Sequence, residues 1–443
     1  MSSRFPALLL ALILICAYAA TPFASFQFDD FNVIVHNPHV HSLQAWWASL
    51  PGLRMLLKLS YALDWLTGTQ AFSFHLTNLL LHIANTLLLF FWLQEFLQRA
   101  KPEQAADNNT IAFLATLFWC LHPAQTEAVT YIAGRSVSLM AFFCLAALLV
   151  QAKRPRYWQA WMAVFTLLAL LTRETAWVLP FTLLFCEHFC AQRHQQSWQQ
   201  NLKNTAPAFA VLLPGMAYFL LEPNYRQMLA FSFTLRDMPS QLLTQLAGWQ
   251  YLLGPGIFSL TPNIDPDIAL QSTLTPALLF MALLLAGMTL SGFFLLQRGH
   301  LAGLALLWLL LQLAPTNSIF PRVDVANDRH LYLALIGPAL LAAQLLTRWQ
   351  RPGLILAWLL AGLLFVSTLI RNADYQSELA LWGRTVQQSP DKARPWNNLG
   401  QAALEAGNLE LAQHAFSRAV ELAPDDSRAR LNLYFLKEVP PRP

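Results

Sequence analysis

Two adjacent carboxylates, Asp29 and Asp30, follow the first apolar run of the chain, Phe5 to Phe23, in the string Phe26-Gln27-Phe28-Asp29-Asp30-Phe31-Asn32. A carboxylate with restricted solvation has a raised pKa and can take a proton as a general base. The same residues can equally cap a following helix or turn, so the pair alone leaves both roles open.

Four further polar groups interrupt apolar sequence, where polar residues are costly and often functional. His75, Asn78, His82 and Asn85 recur at helical spacing and share one face. Hydrogen bonding between helices accounts for them better than direct chemistry does. Next comes Leu121-His122-Pro123-Ala124-Gln125-Thr126-Glu127-Ala128-Val129, followed by Gly134-Arg135-Ser136. Pro123 and Gly134 mark turns, and His122, Glu127 and Arg135 can point into one cavity. Thr172-Arg173-Glu174 separates two apolar runs; Glu174 either joins a site or caps the next helix, where the N-terminal dipole favours it. Finally, Pro315-Thr316-Asn317 leads to Asn327-Asp328-Arg329-His330-Leu331-Tyr332. Arg329 and His330 there enter a helix, and an arginine so placed can hold a phosphate bidentately or snorkel to an interface.

The elements that position these groups are set by composition. The chain has 443 residues, 56% hydrophobic and 12% charged, with a net charge of +4. Soluble domains carry about 25% charged residues, so this is an all-α polytopic membrane protein. Its basic residues lie in short loops, which marks orientation in a bilayer and excludes a nucleic-acid partner. Apolar runs fall at Phe5–Phe23, Phe72–Leu97, Ile111–Leu121, Val137–Gln151, Tyr157–Leu171, Ala176–Cys190, Pro207–Leu221, Thr275–Leu296, Leu301–Leu313, Leu331–Leu346 and Leu354–Ile370. They predict about eleven spans. Leu242–Leu260 is apolar but broken by Gly248, Gly254, Pro255 and Gly256, and reads as re-entrant or interfacial.

With the N-terminus in the cytoplasm, Arg4, Arg99, Lys101, Lys153, Arg154, Arg156, Arg193, Lys203, Arg298, Arg348 and Arg351 share the cytoplasmic side. The loops 24–71 and 222–273 then face outward, together with every polar group above. Ala17-Tyr18-Ala19 has the small-residue pattern of a signal-peptidase site, but the long run before it reads as a retained first span. The five cysteines lie in or beside apolar runs and predict no disulfide. Cys186-Glu187-His188-Phe189-Cys190 is a weak zinc signal, and no metal is expected there.

The tail differs in character. Trp396, Leu399, Gly400, Gly407, Ala412, Phe416, Ala419 and Pro424 match the tetratricopeptide pattern, and Trp382 and Pro390 precede Phe416 and Pro424 by the repeat length of about 34 residues. The expected division is a membrane domain over residues 1–371 and a tetratricopeptide domain over 372–443. Trp396 and Asn397 are its candidates for contact with an acceptor or partner. One acidic pair and several cations on one face suit a substrate with an anionic leaving group and a neutral nucleophile. A lipid-linked phosphosugar fits that description, with its tail in the bilayer and its phosphate at the interface.

On these motifs the chain resembles the transmembrane and tetratricopeptide-repeat-containing O-mannosyltransferases and their bacterial relatives, within superfamily C of the glycosyltransferases. The resemblance includes Phe28-Asp29-Asp30 with Asn37-Pro38, Phe74-His75-Leu76-Thr77-Asn78-Leu79-Leu80-Leu81-His82 and, most specifically, His122 to Val129 with Gly134-Arg135-Ser136. Thr172-Arg173-Glu174-Thr175 stands for a Lys-Glu element of the family, and Asn327 to Leu333 for its Ala-Glu-Arg-Tyr-Leu-Tyr-Leu. The resemblance implies inverting transfer of mannose or another hexose from a polyprenyl-phosphate carrier to a hydroxyl of a protein or glycan. Asp29 or Asp30 would be the base, with Asp30 preferred. Arg329, Arg135 and Arg173 would stabilise the leaving phosphate, and His122, Glu127, Glu174 and His330 would line the donor site. Some relatives use a divalent metal; none is expected here. The implied location is a bacterial inner membrane, with the repeat domain in the periplasm. The alternative is a non-catalytic scaffold that gathers envelope proteins through the repeat.

Overall fold

The computed structural model describes residues 4–192 and 196–438, so Arg193 lies outside the described residues. Among the described residues every regular element is helical. Helix α1 (Arg4–Ala17) is the first apolar segment, and the loop after it carries α2 (Leu43–Ala48) and α3 (Met55–Thr67). Helices α4 (Ala71–Ala100), α5 (Ala105–Cys120), the single turn α6 (Thr126–Val129), α7 (Arg135–Lys153), α8 (Trp158–Thr172), α9 (Leu179–Ala191) and α10 (Trp198–Leu221) follow. The second long loop contains α11 (Pro223–Leu235) and α12 (Met238–Tyr251), which runs into a π-helical turn at Leu252–Gly256. Helices α13 (Pro276–Gln297), α14 (Leu301–Leu313), α15 (Leu331–Ala334), α16 (Ile336–Arg348) and α17 (Gln350–Asp374) complete the apolar part. The C-terminal set is α18 (Glu378–Gln388), α19 (Ala393–Glu405), α20 (Leu409–Leu422) and α21 (Ser427–Glu438).

Each of the eleven apolar runs forms a helix, yet six helices are long and apolar enough to cross a membrane alone, or seven if the bent pair Asp328–Ala334 and Ile336–Arg348 is one span. The difference is one of length. Helices α5, α8, α9 and α14 have 16, 15, 13 and 13 residues, short of the about 20 that cross a bilayer core. The segment read as re-entrant is α12 with its π turn, and it is not a candidate span.

The centre of the bundle is α4, which packs on both α5 and α7. Its polar face bonds neighbouring elements, as its spacing predicts. Asn78 donates to the Val129 carbonyl at 3.0 Å, Asn85 to the Ser138 carbonyl at 2.8 Å, and His82 pairs with the Tyr332 hydroxyl at 2.8 Å. At the end of the bundle where the loops gather, a polar seam runs from the Thr21–Thr130 hydroxyl pair (3.2 Å) to Asn372, and from Asn372 to the Ala17 carbonyl (2.9 Å). It locks the ends of α1 and α17 to the 121–134 loop. At the opposite end the buried Glu187 receives Arg99 and Arg154, which gathers α4, α7 and α9.

In the C-terminal set, polar caps start the helices: Ser377 accepts from the Ala380 N–H and Asn408 from the Leu411 N–H. Helices α19 and α20 pack face to face with Phe416 against Gly400, where a side chain on residue 400 would occupy the ring's place.

Candidate active site

The two aspartates stand in different surroundings. Asp30 is buried, and both its oxygens are occupied: Oδ2 accepts from the Gln27 N–H at 3.0 Å and Oδ1 from the Ala133 N–H at 2.7 Å. It therefore ties the 24–71 loop to the 121–134 loop. Burial pushes its carboxyl up to about 8, against the two amide bonds that hold it down. Asp29 is half-buried, and among the described residues its carboxylate makes no hydrogen bond or ion pair. Its backbone N–H donates to the Tyr131 hydroxyl at 3.1 Å. The preceding residue, Phe28, has a φ of +46°. A bulky residue in the left-handed region costs about 1–3 kcal/mol and persists only where its surroundings impose it. A raised pKa suits a base, but a base must also reach its substrate. Only Asp29 has an oxygen to offer.

Facing this loop is an excess of positive charge. Arg173 is buried and donates to the Ser136 hydroxyl at 2.6 Å, and among the described residues no carboxylate is bound to it. Besides burial it feels the charges of Arg54, Arg322 and Arg329, which Glu174 opposes. Burial, then Arg329 and Arg54, push the half-buried Arg322 guanidinium down to about 10, and among the described residues its side chain has no acidic partner in contact. His330 is buried beside Arg322, Arg173 and Arg329, and neither ring nitrogen has a hydrogen-bond partner among the described residues. Of the acidic groups nearby, Glu174 is engaged by Arg54 at 2.5 Å. Burial is the largest single influence and would raise its carboxyl, but the Arg54 charge, the Arg54 hydrogen bonds and the Arg173 charge together outweigh it and hold it at about 2. An arginine stays protonated in proteins, so a cluster of this kind has the electrostatics of an anion-binding site.

Glu127 sets the floor of the site. It accepts from the Arg329 backbone N–H at 3.0 Å and lies 3.6 Å from the Arg329 Nε. Burial pushes its carboxyl up, and Asp328 nearby adds to this while Arg329 opposes it. Asp328 in turn accepts from the Tyr251 hydroxyl at 2.7 Å. His122 donates from Nε2 to the Ile257 carbonyl at 2.9 Å and accepts at Nδ1 from the Ala124 N–H at 3.2 Å. Burial pushes the ring down to about 4, which keeps it neutral and suits this pair of bonds. Arg135 is placed differently from the other arginines. It is fully buried, paired with Asp64 at 2.5 Å and bonded to Asn78, Ser60 and the Phe74 carbonyl. Its guanidinium is spent on joining α3, α4 and α7.

Two sets of residues lie apart from this cluster. The Trp396 indole donates to the Pro390 carbonyl at 2.8 Å, and Asn397 accepts from Asn432 of α21 at 3.0 Å, so both serve packing within the repeat set. Cys186 and Cys190 are free thiols, Glu187 is taken by arginines, and His188 stacks on Trp198 with ring centroids 3.7 Å apart. Among the described residues no three His, Cys, Asp or Glu side chains converge as metal ligands would.

Arg54, Arg322, Tyr131 and Tyr251 belong to the site and were not singled out by motif. Arg54 and Arg322 carried a signal nonetheless. Each is a basic residue in a loop that the expected orientation leaves poor in them, where a cation calls for a reason.

Fold and site together define a multi-pass helical membrane protein. A strained carboxylate loop and an arginine cluster meet at one end of its bundle, beside a helical-repeat unit. The tetratricopeptide repeat family matches residues 393–426, which are α19 and α20. Protein O-mannosyl-transferase F38B6.6 of Caenorhabditis elegans is 25% identical over 94% of this chain and 62% of its own length. Protein O-mannosyl-transferase TMTC3 of Homo sapiens is 24% identical over 95% of this chain and 52% of its own. Tmtc3 of Drosophila melanogaster is 26% identical over 95% and 55%. The chain is therefore a relative, along most of its length, of the transmembrane and tetratricopeptide-repeat-containing protein O-mannosyl-transferases. It spans about half to three-fifths of the length of these relatives. No solved structure matches it.

Proposed function

We propose that this chain is a membrane glycosyltransferase that moves mannose or another hexose from a polyprenyl-phosphate carrier to an acceptor hydroxyl, with inversion. The observation that carries the reading is Asp29. Among the described residues its carboxylate has no partner, it sits on a strained step of the chain, and near it lie Arg329 and two arginines, Arg173 and Arg322, that no carboxylate contacts. Asp29 takes the proton of the acceptor hydroxyl, and the oxygen attacks the anomeric carbon from the face opposite the phosphate. The carbon–oxygen bond to phosphate breaks and its electron pair leaves with the phosphate. That group is already anionic, so no general acid is required. Arg173, Arg322 and Arg329 stabilise its growing charge, with His330 beside them, while Arg135 and Asp30 hold the framework. The basic loops favour a cytoplasmic N-terminus, with the site and the repeat unit outside, as in a bacterial inner membrane.

The test is transfer by the purified chain in lipid, with polyprenyl-phosphate mannose as donor and a serine- and threonine-rich peptide as acceptor. The wild type should release polyprenyl phosphate in step with glycopeptide, and Asp29→Asn should not. A scaffold would leave the donor intact in both.

A further inference from the structure

Among the described residues the C-terminal helices bond the membrane part at two places, one on the Asp29 loop and one beside the segment that carries Arg322 and Arg329. At the first, the Phe28 N–H donates to Glu378 Oε1 of α18 at 2.6 Å. The Phe28 ring meets Trp382 of α18 edge to face, with centroids 5.1 Å apart. One residue earlier, the Gln27 side chain donates to the Tyr375 carbonyl, and the Ser25 N–H reaches the Gln376 carbonyl at 3.4 Å. The side chain that bonds the left-handed Phe28 and the ring that stacks on it thus both come from α18. At the second place, the buried Asp265 receives Lys392 at 2.6 Å and also Arg394 of α19. Arg394 continues to Asp324 at 2.6 Å, between Arg322 and Arg329 in the chain. The Asn263 side-chain amide donates to Ser389 at 2.9 Å in the same seam.

We propose that α18 and the head of α19 brace the transfer site, with Glu378 and Trp382 as positioning residues that aim Asp29, and Arg394 holding the segment that carries Arg322 and Arg329. The inference rests on the reading of Asp29 as the base. It gives the first half of the repeat unit work inside the site, separate from any capture of a partner by the rest. Phe28 cannot hold its conformation by its own preference, and a misplacement of about 1 Å in a transfer site can cost roughly 100-fold in rate.

The experiment uses the full chain in lipid, with polyprenyl-phosphate mannose and a serine- and threonine-rich peptide, alongside hydrogen exchange over residues 25–31. Glu378→Ala should lower kcat roughly tenfold or more while both KM values stay within about twofold. Glu378→Gln keeps an acceptor oxygen for the Phe28 N–H and should recover kcat to within about threefold of wild type. Exchange at residues 25–31 should quicken in Glu378→Ala and not in Glu378→Gln. Trp382→Phe preserves an edge-to-face partner and should behave like Glu378→Gln. An unchanged kcat in Glu378→Ala overturns the brace, as does a loss confined to the acceptor KM, which would assign the module to capture alone. If the wild type is inactive yet exchange responds as described, the brace stands and the transferase reading falls.

Discussion

Replacing Asp29 and Asp30 one at a time separates the two roles the pair can play, because the structure assigns the two carboxylates different bonds. The Asp29 side chain makes no hydrogen bond among the described residues, so Asp29→Asn should move stability by no more than about 0.5 kcal/mol. It removes the proton acceptor, which is worth roughly 100- to 10,000-fold in rate, or about 3–5 kcal/mol of barrier. Asp30 accepts two backbone amides in a buried setting. Asp30→Asn keeps one acceptor oxygen and turns an NH2 toward the other amide, leaving one buried donor unsatisfied at a cost of about 1–3 kcal/mol. The first variant should thus be inactive and stable, and the second destabilised but active to within about tenfold. The assay is sugar transfer from polyprenyl-phosphate mannose, read beside thermal unfolding of the same preparations. Transfer by Asp29→Asn within about threefold of wild type would refute the reasoning, and so would an inactive Asp30→Asn that unfolds at the wild-type temperature.

Three other outcomes are expected. Arg322→Ala should raise the donor KM roughly 10- to 100-fold, with little change in the acceptor KM, because one charge-assisted contact to phosphate is worth about 1.5–3 kcal/mol; steady-state kinetics checks this. A Cβ on Gly134 would fall on the Glu127 carbonyl oxygen, and backbone against backbone has little room to give, so Gly134→Ala should sharply lower the thermal midpoint. The Glu174 carboxyl is held below its unfolded value, at about 2. Its stabilising contribution is therefore present above the unfolded value of about 4.3 and is lost as the pH falls from there through about 2. The thermal midpoint of Glu174→Gln should fall less over that window than that of the wild type.

Much of the fold was legible because the forces that set it are local and periodic. Every apolar run became helical, Leu331–Leu346 as the bent pair α15 and α16, and the spacing of Asn78, His82 and Asn85 named the face that bonds neighbouring elements. Span count was less legible, since α5, α8, α9 and α14 are apolar but short, and sequence carries no ruler for how a short helix sits among longer ones. In the site, the motifs located the right loops but not the division of labour within them. Arg135 carries the same charge as Arg173, yet Asp64, 71 residues before it in the chain, turns it into a structural group. Which of two neighbouring aspartates faces outward depends on a single left-handed residue, Phe28, whose conformation is imposed from 350 residues away by Glu378. Such long-range contacts leave no periodic trace.

The most direct test of the account is the sugar content of the proteins and glycans outside the membrane, compared by mass spectrometry between cells lacking this chain and the same cells supplied with wild type or Asp29→Asn. The account predicts that one hexose modification disappears with the chain, returns with the wild type and does not return with Asp29→Asn. An unchanged hexose inventory in the deletion, or full restoration by Asp29→Asn, would contradict it.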